Sequence, residues 1–156
     1  MPYTKIKFST PGPWDNEPDN LKFEHIGLKC EIMRVPKLGH LCGYVELPKN
    51  HIWNEFTDEN FGFINVHGGI TYCFQQGGST IIGFDCAHVG DLIPSRNYTT
   101  FGTQDSYKDI DYVMNECKSL VQIILSVGVS ILTDKKQTKK KKKVKQTNIP
   151  RFIDLD

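Results

Sequence analysis

Five side chains able to move protons, attack an electrophile or bind a metal fall close together in this chain: His67, Asp85, Cys86, His88 and Asp91. Between them lies Gln75-Gln76-Gly77-Gly78-Ser79, flanked by two short apolar runs, which is the composition of a β-hairpin connection. A turn centred between Gly77 and Gly78 sets His67 opposite His88 and Gly69 opposite Cys86. A pairing shifted by two residues sets His67 opposite Cys86 instead. Cross-strand partners approach to roughly 4.5–5.5 Å at Cβ, so either register gathers the imidazoles, the thiol and the carboxylates. A slip of one residue would carry His67 to the other face and disperse them.

Four chemistries are open to such a cluster. His67, Asp85, His88 and Asp91 are ligand types for zinc, iron or manganese, so a divalent metal is a possible cofactor. Against it, the set matches no recognised metal fingerprint, and strand-borne Asp85 and His88 would point to opposite faces. Gly90 suggests that the strand ends between them. Cys86 is a candidate nucleophile, since a thiol beside a histidine can ionise, with Asp85 or Asp91 orienting that histidine. The alternative for Cys86 is a small buried apolar residue.

Without a metal, His67 and His88 would serve as an acid–base pair, with Thr71 and Tyr72 positioning the substrate. A purely binding site would instead use the Gly68-Gly69 amides as an anion nest. For such a site residues 1–133 offer few candidate cations: Arg34, Lys37 and Arg96. That shortage tilts the reading towards catalysis. His25 and His40 are given no role, and His51, beside Trp53, only a weak one.

The elements that must hold this cluster follow from hydrophobic spacing. Leu28, Cys30 and Ile32 alternate with polar positions as a half-buried strand, and His40–Leu47 forms the next. Runs 63–74 and 80–86 make the hairpin, where Gly68-Gly69 suggests a bulge or a close approach to the backbone. Tyr107, Ile110, Val113, Cys117, Leu120, Val121 and Ile124 recur at spacings of three and four, one apolar face of a helix. Ser106 is its expected cap, and its end is expected near Gly128. Residues 1–26 read as an irregular, proline-rich arm pinned by Trp14. Loops 51–62 and 89–105 are expected to rim a pocket at the hairpin. The fold class is therefore α+β: a small antiparallel sheet with one long helix across a face.

Composition supports one globular domain over residues 1–133. Hydrophobic residues make up 38% and charged ones 24% of the 156. The net charge of +1 divides unevenly. Residues 1–133 carry ten Lys and Arg against fifteen Asp and Glu, whereas residues 134–156 carry nine against three. The domain itself therefore lacks the basic surface of a nucleic-acid binder. Lys135–Lys145 reads as a flexible tail with at most a weak, salt-sensitive contact to nucleic acid. After it, Ile149-Pro150-Arg151-Phe152-Ile153 has an apolar character suited to docking. The five cysteines show no C-x-x-C pair, and the start of the chain lacks a signal-peptide pattern, so the expected setting is a reducing cytoplasm with no membrane contact.

The blocks Gly12-Pro13-Trp14-x-x-Glu17-Pro18-Asp19, Leu41-Cys42-Gly43-Tyr44-Val45, His67-Gly68-Gly69-Ile70-Thr71 and Gly83-Phe84-Asp85-Cys86-Ala87-His88-x-Gly90-Asp91 resemble a family of small phage-encoded proteins. A helix of the kind Tyr107-x-x-x-x-Tyr112-Val113-x-x-Glu116 belongs to the same pattern. The resemblance covers roughly residues 12–121 and implies an accessory protein acting in a bacterial host cytoplasm, without implying an activity. The expectation that emerges is a hydrolase acting on a small nucleotide-like molecule. The alternatives are a non-catalytic sponge for a nucleotide immune signal and a structural protein.

Overall fold

A computed structural model describes residues 4–96 and 105–138 of the chain. It is an α+β domain in which five antiparallel strands form one sheet, β1 (Asn20–His25), β2 (Leu28–Arg34), β3 (Leu41–Glu46), β4 (Tyr72–Gln76) and β5 (Ser79–Asp85), in the order β1-β2-β3-β5-β4. One helix, α1 (Ile110–Thr138), packs across one face against β3 and β2.

Alternation decides which residues meet that helix. Leu28, Cys30, Ile32 and Arg34 are the buried positions of β2, and Ile82 and Phe84 continue the same layer from β5. The helix answers with Val113, Cys117, Leu120, Val121 and Ile124, all fully buried. Each large aliphatic side chain of that set contributes about 1.5–3 kcal/mol on leaving water. Gly43 permits the close fit, because a Cβ there would stand 2.5 Å from Phe84 and 2.7 Å from the Cys117 sulfur.

The hairpin register is the one that centres on Gly77 and Gly78. Tyr72 pairs with Gly83 and Gln76 with Ser79, and both turn glycines have positive φ. The pairing is much shorter than the apolar run. Residues 63–71 form turns instead of strand, with Gly69 donating its amide to Val66 O.

Four other expectations change. Asn20–His25 lies within the supposed irregular arm, yet it is an edge strand that pairs with β2 along its whole length. Residues 51–62 turn inward, where two short 3₁₀ turns bury Trp53 and Phe61 in the core. His51 is structural there, with Nε2 2.8 Å from Ile124 O and Nδ1 accepting from the Trp53 amide.

The helix also starts later than Ser106. Asp109 is the capping side chain, accepting from the Tyr112 amide at 2.8 Å, while Ser106 exchanges backbone bonds with residues 90 and 92. At its other end α1 passes both Gly128 and the boundary at residue 133. The run Lys139–Lys143 and the apolar ending lie outside the described residues.

The N-terminal arm is tied down by charge as well as by Trp14. Arg34, with a fully buried side chain, bonds Asp19 at 2.7 Å, Glu17 at 3.2 Å, Gly39 O and the Tyr107 hydroxyl. Glu17 also accepts from the Tyr107 hydroxyl and from the Ile110 amide, capping α1 from across the molecule. The Gly12–Asp19 block is therefore a clasp for the start of the helix. Among the described residues, no helix is long and apolar enough to cross a membrane.

Candidate active site

The site forms at one end of the sheet, where β5 stops at Asp85, the 66–69 turn enters β4, and the first turns of α1 pass overhead. Because the strand ends at Asp85, the chain curls through residues 86–91 and brings His88 back. Its Nε2 lies 3.2 Å from Asp85 Oδ1, within ion-pair range but not aligned as a hydrogen bond. His67 and His88 have ring centroids 5.8 Å apart, although the ladder stops five residues short of His67. Gly68 allows this. A Cβ there would fall 2.0 Å from His88 Nε2, and its φ of +68° disfavours any side chain.

His67 is the centre of the arrangement. Its Nε2 lies 2.8 Å from Asp91 Oδ2 and its Nδ1 2.8 Å from the Tyr112 hydroxyl, while its amide donates to Glu116 Oε2. Asp91 also accepts from the His88 amide at 3.0 Å and faces Lys108 Nζ at 3.2 Å. Burial works to raise the Asp91 carboxyl, but the bonds from His67 and the His88 amide, with Lys108, outweigh it and hold it below the ordinary value. An ionised Asp91 can only accept, so the proton of neutral His67 sits on Nε2. Nδ1 is then the acceptor for the Tyr112 hydroxyl.

The remaining candidates divide. Asp85 is bound by the Thr71 hydroxyl at 2.8 Å and by the Ala87 amide, so Thr71 orients a carboxylate. Tyr72 stands with Tyr44 in an edge contact, its ring 5.1 Å away, and takes no part in the His67 network. Arg96 lines a small cavity of about 140 Å³ with His88, Asp91 and Asp105. The Gly68-Gly69 nest is half spent, because the Gly69 amide is committed to Val66.

Two of the expected roles fail on physical grounds. Cys86 is 2% exposed and belongs to the apolar core. Burial, followed by the charge of Asp91, pushes its thiol far above the ordinary range, so the reactive thiolate is not accessible. The metal set His67, Asp85, His88 and Asp91 does not converge: among the described residues no group of three or more His, Cys, Asp or Glu could hold an ion. Its donors face one another, and the Lys108 ammonium stands where a cation would meet Asp91.

Three side chains of the His67 network had no site role in the sequence reading: Lys108, which it did not name, and Tyr112 and Glu116, which it named only in the helix block. Tyr112 and Glu116 are four residues apart on one stripe of α1, and Lys108 lies just before the helix begins. Tyr112 and Glu116 also wall an open, polar groove of about 770 Å³ running from His67 and Gly68 along the helix past Asn65, Ser119 and Gln122. No family model, no curated protein and no solved structure matches this chain.

Proposed function

We propose that the chain is a hydrolase of small nucleotide-like molecules that works by acid–base catalysis at His67, in the phage accessory role its sequence blocks suggest. The observation that carries this reading is the Asp91–His67–Tyr112 chain of 2.8 Å contacts ending at the wall of the groove. A carboxylate that fixes the tautomer of a histidine, whose other ring nitrogen meets a hydroxyl at the wall of a ligand-sized space, is an arrangement suited to general-base catalysis. The amides and hydroxyls of Asn65, Ser119 and Gln122 suit the hydroxyls of a ribose and the edges of a base, and the groove falls in the size range of small-molecule sites.

The test is incubation with cyclic nucleotides and ADP-ribose-type molecules, followed by heating to release whatever is bound. Altered ligand in excess over protein is expected, and it should vanish in His67→Gln. Intact ligand recovered in stoichiometric amount would replace this reading by that of a sponge. One observation favours the sponge: each ring nitrogen of His67 already has a partner, and the Cys86 thiol is buried.

A further inference from the structure

We propose that Tyr112 is the nucleophile of this site, attacking the phosphorus of a phosphodiester and holding it as a transient phosphotyrosyl protein. The inference rests on the hydrolase reading and specifies its covalent step. A nucleophile is recognised by a base within hydrogen-bond reach and a third group that orients the base. Tyr112, His67 and Asp91 meet that description, with both contacts at 2.8 Å.

The other hydroxyls and thiols nearby do not. Cys86 is buried in the core and Thr71 is turned to Asp85. Tyr112 is also held in place. Its amide is fixed by Asp109, its ring meets His67 edge-on at 5.3 Å, and Lys108 Nζ lies 5.7 Å from the ring centroid. It is nevertheless 36% exposed, on the wall of the groove. Lys108 supplies a positive charge near the position a transferred phosphoryl group would occupy.

The resting phenol is protonated. Burial, then the carboxylate of Glu116, raise it above its ordinary value, so the proton must leave as the attack proceeds. In the first half, the bond from Tyr112 Oη to phosphorus forms and the bond to the leaving oxygen breaks. The phenolic proton moves to His67 Nδ1, and the leaving oxygen takes a proton from solvent. In the second half, a water bonds to phosphorus and returns a proton to solvent. The phosphorus–Oη bond breaks, and the phenolate recovers the proton from Nδ1. The sum is hydrolysis of one ester bond by one water, with no change of oxidation state.

The probe is bis(p-nitrophenyl) phosphate, mixed with the full chain, quenched rapidly and analysed by intact mass and by peptide mapping. A burst of nitrophenolate equal to the protein, and a p-nitrophenyl phosphoryl adduct on the Tyr112 peptide, are expected. Tyr112→Phe should remove both and lower turnover by at least about a hundredfold, with an unchanged melting temperature. His67→Gln, which keeps Tyr112, should also lose the adduct. Turnover without an adduct, retained in Tyr112→Phe, would overturn the proposal while leaving the hydrolase reading in place, with His67 activating water directly. Neither turnover nor adduct in the wild type would overturn both.

Discussion

Two clusters in this molecule are built from almost the same residue types and differ in their access to solvent. Around Arg34, the carboxylates of Glu17 and Asp19 and the Tyr107 hydroxyl close on a guanidinium whose Nε and both terminal nitrogens all have partners. The side chains of Arg34, Asp19 and Glu17 are 0%, 4% and 9% exposed. Around His67, two carboxylates, a lysine and the Tyr112 hydroxyl are also linked, but His67, Asp85 and His88 keep 15%, 28% and 35% of their side chains accessible. A closed cluster has its ionic partners fixed and no room for a ligand. An open one has a titratable ring at the edge of a groove. The presence of acids, bases and tyrosines therefore does not mark a site; their access to solvent does.

The contrast is sharpest when the central cation of the closed cluster is removed. Arg34→Met leaves Glu17 and Asp19 buried without their ionic partner, a change that typically costs about 3–5 kcal/mol. Denaturant unfolding should show a loss of that size. The Tyr107 hydroxyl and the cap on Ile110 would be disturbed with it, so the N-terminal arm should become protease-sensitive first. A loss below about 1 kcal/mol would mean that the arm is held by Trp14 and not by charge.

A smaller effect is expected at Gly68. Gly68→Ala needs a strained left-handed backbone and drives a methyl into His88, at about 1–3 kcal/mol for the two together. Ligand conversion should fall with it, because His88 must swing away. Cys86→Ala, by contrast, should cost about 1 kcal/mol of packing and leave conversion intact. If instead conversion disappears while the fold survives, Cys86 has a chemical role that its burial conceals.

His67→Ala inverts the Arg34 result. Its ring is part-exposed and its partners can turn to water, so stability should drop by only about 1 kcal/mol. Conversion of ligand should be abolished. A large loss of melting temperature with no change in ligand behaviour would move this cluster into the same class as the first.

Much of this was readable in the residues, and the failures have causes. The alternation of Leu28, Cys30 and Ile32 and the three-four spacing from Tyr107 to Ile124 gave the sheet, the helix and the buried faces, because burial is what period reports. The Gly77-Gly78 turn gave the register that leads His67 towards His88. The β1 strand was hidden by the prolines before it, since Leu21 and Phe23 alternate too briefly to stand out against Pro11, Pro13 and Pro18. Cys86 misled because a pairing argument places residues side by side without saying which face is dry. Tyr112 and Glu116 were legible in the helix block but not beside His67, because they sit 45 and 49 residues from it and only the packing of α1 over the 66–69 turn brings them there.

The least of the expected effects concerns pH and separates the interior from the site once more. Burial holds His40 and His51 below the ordinary histidine value of 6.5, so both are neutral inside the fold. Their folded values lie below their unfolded ones. Their stabilising contribution is therefore complete above 6.5 and declines as the pH falls below it, because the unfolded chain takes up protons first. Asp91 is depressed from 3.8, so its contribution is lost only under more acidic conditions. The unfolding free energy from urea titrations should thus fall modestly between pH 7.5 and 5.5, by at most about 1.4 kcal/mol per pH unit for each group. His51→Gln, which can keep a donor for Ile124 O, should flatten part of that slope. A slope that His51→Gln leaves untouched would mean that this buried ring does not carry the pH dependence.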